Sequence, residues 1–194
     1  MATYGCALLM YGIPNTVYDF LTPPETKWRL VAIVFMFSFL FPVLNIYFLY
    51  RLKRIPNLLL SNRSDRSFPY LLTAVFYFGL AYLLMDINVW PSIKLFVFAA
   101  GLAIAITALI NFKTKISAHM VGVGGLLGVI VSAAYLIRFD MTQYYIVIIL
   151  VAGVVGSARI YLEEHRPAQI YSGFLLGFLV QTILFFSFQS LIFA

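Results

Sequence analysis

SIKLFVFAAGLAIAITALINF, residues 92–112, carries a single charge, Lys94, near its start. As a helix it would run about 30 Å, the thickness of a bilayer's hydrocarbon core. A polar island, KTKISAH at 113–119, follows at once, and apolar sequence resumes at Met120. This alternation recurs along the chain. It marks spans at 28–50, 69–85, 92–112, 120–137, 144–158 and 170–194. Arg51, Lys53 and Arg54 stop the first span, and Pro42 is expected to kink it. Residues 55–68 read as a polar loop. The stretch 86–91 reads as a tight turn with Trp90 at the interface, and Arg138-Phe139-Asp140 as another turn. The pattern predicts an all-α fold: one membrane domain over 1–194, an integral bundle of about six transmembrane helices.

Composition agrees with this. The chain is 63% hydrophobic and 10% charged, against about a quarter charged in a soluble domain. A net charge of +6 suits anionic headgroups and needs no nucleic acid partner. The lone cysteine, Cys6, allows no internal disulfide and no metal-ligand cluster, so no metal and no cofactor is expected. Residues 4–12 are apolar but too short to span. They belong in the interface or against the bundle, and 1–27 reads as an interfacial or peripheral segment. Pro14 and Asp19 follow the short apolar run, so it does not read as a secretory signal.

Counting crossings assigns sides. The first span's end defines side A, and residues 51–68, 113–119 and 157–169 then all lie there. Side A holds nine of the 13 Lys and Arg residues: Arg51, Lys53, Arg54, Arg63, Arg66, Lys113, Lys115, Arg159 and Arg166. Lys27, Arg29, Lys94 and Arg138 lie opposite. The positive-inside rule would put side A in the cytoplasm.

Histidine occurs twice, at His119 and His165. Both lie on side A, each in a polar island. In the first island, Ser117 and His119 fall where a helix begins. Its free N–H groups and partial positive charge suit a phosphate. Ser117 can cap the helix and donate to a phosphoryl oxygen, Lys115 can neutralise one, and His119 can protonate a leaving oxygen. The interfacial alternative has Lys115 snorkelling and Ser117 only capping. In the second island, Arg159 precedes His165, and Gln169 follows one helical turn later. Gln169 can hold one ring nitrogen of His165 and aim the other at phosphorus, with Arg159 clamping the phosphate. Glu163, Glu164 and Arg166 also fit a solvated surface. Glycines 122, 124, 125, 128, 153 and 156 read as small-residue packing between the fourth and fifth spans.

Together the islands resemble the type 2 phosphatidic acid phosphatase (PAP2) superfamily of membrane lipid phosphatases. That family's second motif reads Pro-Ser-Gly-His, and here Ile116-Ser117-Ala118-His119 matches it. Its third reads Ser-Arg, five residues, His, three residues, Asp. Here Ala158-Arg159 is followed by His165 and Gln169, with Gly173 beyond. The likeness covers roughly 28–194 and is most specific over 165–173. The short chain is similar to small bacterial, Bacteroidetes-type members. The resemblance implies a PAP2-like bundle in a bacterial inner (cytoplasmic) membrane. It implies His165 as nucleophile, His119 as general acid and base, and Gln169 orienting His165 in place of Asp. Ser117, the Ala118 backbone amide and Arg159 would hold the phosphate. The family's first motif, Lys, six residues, Arg-Pro, is absent. Lys113 or Lys115 can supply its lysine, and Arg63 and Arg66 lie on the side where its arginine belongs. Family sites face the periplasm or lumen, opposite to the charge count.

The expected function is hydrolysis of a membrane lipid phosphate or diphosphate through a phosphohistidine, without metal. The alternative is a degenerate PAP2-like protein serving as a structural or accessory subunit of a larger membrane complex. A lipid-phosphate transporter is the weaker third reading, since no inverted repeat or broken-helix pair is seen.

Overall fold

The computed structural model describes residues 1–12, 23–58, 60 and 63–190. The described residues are helical and include six helices long and apolar enough to cross a membrane. The chain is therefore a multi-pass, all-α membrane protein. Helix α1 is the short Ala2–Tyr11. The spanning helices are α2 (Pro24–Arg51), α3 (Arg63–Met85), α4 (Pro91–Asn111), α5 (Ala118–Ile137), α6 (Thr142–Tyr161) and α7 (Pro167–Ser187). The last expected span extended to 194, and residues 191–194 lie outside the described residues, as do 13–22 of the N-terminal segment.

Helix α5 is the centre of the bundle: 67% of its apolar window is buried, against 11% for α6 at the rim. The central packing is α5 against α7. A Cβ on Gly124 would run into the carbonyl oxygen of Phe174, and one on Gly177 into that of Val121. The two backbones touch, as small residues allow in membrane helices. This corrects the expected pairing in part. Gly124, Gly125 and Gly128 of α5 draw in the last helix rather than α6; Gly156 of α6 does pack against Met120 of α5, while the space around Gly153 is open.

Three local expectations also change. Residues 63–68 are the first turns of α3, not loop, with Asp65 in the first turn facing the positive end of the helix dipole. Pro69 stands inside the helix; its missing N–H forfeits one bond, near the helix's polar end. The added turns point inward, leaving Arg66 and Ser67 buried. In α2, a π-helical stretch, Met36–Leu40, lies just upstream of Pro42, where proline's missing donor loosens the α-helical ladder. Helix α1 packs into the bundle: Cys6, Leu9 and Met10 are buried, and the Tyr144 hydroxyl donates to the Gly12 carbonyl at 3.1 Å.

Two side-chain amides inside the bundle tie helices together, as polar groups do across membrane helices. Gln181 Nε2 donates to the Phe96 carbonyl at 3.2 Å. Asn111 Nδ2 donates to Ser67 Oγ at 3.0 Å, which ties the start of α3 to the end of α4 beside Arg66.

Candidate functional site

Three helix boundaries meet at one end of the bundle: the start of α3, the α4–α5 turn and the α6–α7 turn. A backbone bond joins the two polar islands directly. Ser117 N–H donates to the Gln169 carbonyl at 3.2 Å. Gly173 makes this approach possible, since a Cβ there would stand 2.7 Å from the Ser117 carbonyl oxygen. Gly173 is thus a packing requirement of the site itself.

His165 is buried in the turn before α7. Gln169 Oε1 accepts the Arg166 backbone N–H at 3.1 Å, the reach-back of a capping box. A backbone N–H only donates, so the Gln169 atom there is its oxygen. The same oxygen lies 3.2 Å from His165 Nδ1, so Nδ1 carries the proton and Nε2 keeps its lone pair. Nε2 faces Arg66 Nη1 at 3.5 Å. Burial, with the charges of Arg66, Lys115 and Arg159, pushes His165 down to about 4 against the opposing Gln169 bond. At neutral pH it is an unprotonated imidazole with a fixed tautomer.

Arg66 enters from α3 and is held on several sides. Its Nε donates to the Leu60 carbonyl, and its Nη2 donates to Glu164 Oε2 at 2.7 Å. Lys115 Nζ lies 3.8 Å from the same carboxylate oxygen. Burial alone pushes the Glu164 carboxyl up; the Arg66 hydrogen bond and the charges of Arg66, Lys115 and Arg159 outweigh it and hold the group below its ordinary value. Lys115 is pushed down, by burial and then by Arg66, with Glu164 opposing and Arg159 adding.

His119 lies in the first turn of α5 and is exposed. Arg159, from the last turn of α6, points Nη2 at His119 Nδ1, 3.0 Å away. Arginine only donates, so this nitrogen accepts and the neutral ring carries its proton on Nε2. Two buried polar atoms close by have no hydrogen-bond partner among the described residues: Arg159 Nε and Ser117 Oγ. Ser117 occupies the N-cap of α5 but makes no capping bond, contrary to the expected cap. Its hydroxyl is buried, and its backbone is committed to Gln169.

The structure therefore gathers His119, Ser117, Ala118, Lys115, Arg159, His165 and Gln169, while Lys113 sits exposed on the same turn. Of the two arginines considered for a supporting charge, the structure brings Arg66 into contact with His165 and Glu164. Glu164, open to reading as solvated surface, is a half-buried member of the cluster. No group of three or more metal-ligating side chains occurs among the described residues. Three cations and one carboxylate leave an electropositive site at the membrane surface, suited to a phosphate. No known family, curated protein or solved structure matches the chain.

Proposed function

We propose that the chain is a membrane lipid phosphatase or diphosphatase working through a phosphohistidine on His165, as the type 2 phosphatidic acid phosphatases do. One observation carries this reading. The Gln169 oxygen fixes the proton of His165 on Nδ1 and leaves the Nε2 lone pair facing a guanidinium. That is the protonation and direction a nitrogen nucleophile needs.

The chemistry proceeds in two displacements. The lipid phosphate lies against Arg66, Arg159, Lys115 and Ser117. His165 Nε2 attacks phosphorus, and the bond from phosphorus to the lipid oxygen breaks. Protonated His119 gives its proton to that oxygen. Arg159, shifting from His119 Nδ1 to the phosphoryl oxygens, leaves Nδ1 open for the ring's second proton. Water then attacks phosphorus, His119 takes its proton, the P–N bond breaks and phosphate leaves. The cations stabilise charge on the transferring oxygens throughout. No step calls on a metal.

Phosphate release by purified protein in detergent tests the proposal. The panel is phosphatidic acid, phosphatidylglycerol phosphate, a polyprenyl diphosphate and a lipid A phosphate, without divalent metal. Release from at least one lipid, lost in His165→Ala and His119→Ala that still fold, is the expected result. No release by folded protein moves the assignment to an accessory subunit of a membrane complex.

A further inference from the structure

Glu164 sits where an anionic ligand would be bound. Its Oε2 takes a hydrogen bond from Arg66 Nη2 at 2.7 Å and lies 3.8 Å from Lys115 Nζ. Arg66 is 5% exposed and Glu164 18%, so the pair is sheltered from water and weakly screened. Arg66 also faces His165 Nε2, the atom proposed to receive the phosphoryl group. The same guanidinium thus serves the internal carboxylate and the site of reaction. Any phosphate that reaches His165 competes with Glu164 for Arg66 and Lys115.

We infer that Glu164 is the specificity-determining residue of this site, a built-in competing anion that admits dianionic phosphate monoesters or diphosphates and excludes phosphodiesters. The inference rests on the phosphatase reading and names its substrate class. A carboxylate offers one negative charge and two acceptor oxygens. A phosphodiester also offers one charge and two free oxygens, so it gains little by replacing Glu164. A monoester dianion brings a second charge and a third free oxygen, and Arg159, whose charge reaches both His165 and Glu164, is the further cation it can engage. The distinction matters at a bilayer surface, where diester headgroups are crowded around any bare cationic cluster.

Two soluble probes separate the classes: inorganic phosphate at pH 8, a dianion, and dimethyl phosphate, a diester monoanion. Binding is read by isothermal titration on detergent-solubilised protein. Wild type is expected to bind phosphate and not dimethyl phosphate. Glu164→Gln keeps an acceptor for Arg66 but removes the competing charge. It is expected to bind phosphate about ten- to a hundredfold more tightly, the scale of one charge-assisted bond, and to admit dimethyl phosphate. Glu164→Ala should show the same change if Glu164→Gln does not fold. Phosphate binding that weakens in these variants would make Glu164 a positioning residue for Arg66 and overturn the inference. Continued exclusion of dimethyl phosphate by either folded variant would overturn it as well, leaving the phosphatase reading in place. Failure of wild type and both variants to bind phosphate at all would remove that reading together with the inference.

Discussion

Replacing Gln169 by Glu tests how the nucleophile is set. In the native chain, burial and three nearby cations hold His165 at about 4, and the Gln169 oxygen fixes its proton on Nδ1 at 3.2 Å. A carboxylate at that oxygen's position would keep both hydrogen bonds and add a negative charge in contact with the ring. An opposite charge this close favours the protonated form by about 1–3 pH units. His165 in Gln169→Glu should then titrate at roughly 5–7. The chain has two histidines, so protein labelled with 15N-histidine gives two imidazole signal sets, and His119→Ala assigns them. In wild type, His165 should be neutral with Nδ1–H from pH 8 down to about 5. It should begin to protonate only below that. An Nε2–H tautomer, or a wild-type His165 titrating near its ordinary 6.5, would mean that Gln169 and the cations do not set the ring this way.

Two other outcomes follow from the same structure. Gly177→Val places a side chain against the Val121 carbonyl and should cost about 1–3 kcal/mol or more, since backbone cannot yield as a side chain does; Gly153→Ala, with open space around it, should leave the melting temperature in detergent unchanged or slightly raised. His165 is held below its unfolded value, so the unfolded chain takes up this proton first and stability from this group is complete only above the unfolded value. Melting temperature measured against pH should therefore show a decline between about 6.5 and about 4 that is shallower in His165→Asn.

The membrane bundle was legible because apolar runs of spanning length leave little choice of fold. Crossing parity placed both histidines at one end, and the four-residue spacing paired His165 with Gln169, although His165 stands in the turn before α7 and meets Gln169 at the helix cap rather than along a helical face. Arg66 was harder to assign. It lies 99 residues from His165, in turns hidden by taking Pro69 as a helix start. Proline inside a helix costs a hydrogen bond, yet here the cost falls near the polar end and buried contacts outweigh it. Glu164 sits in an exposed-looking run with Glu163 and Arg166, and only the tertiary approach of Arg66 and Lys115 draws it in. The glycines of α5 signalled close packing, but a stripe of small residues does not say which helix it receives. That choice depended on Gly173 and Gly177 of α7, whose own approach to Ser117 and Val121 completes the contact.

Phosphorylation of His165 Nε2 is read by rapid quenching with 32P-labelled lipid phosphate. The expected result is an acid-labile, alkali-stable label that maps to His165, forms within a single turnover and is absent from His165→Ala. A label at another residue, or turnover by folded His165→Ala at the wild-type rate, would contradict it.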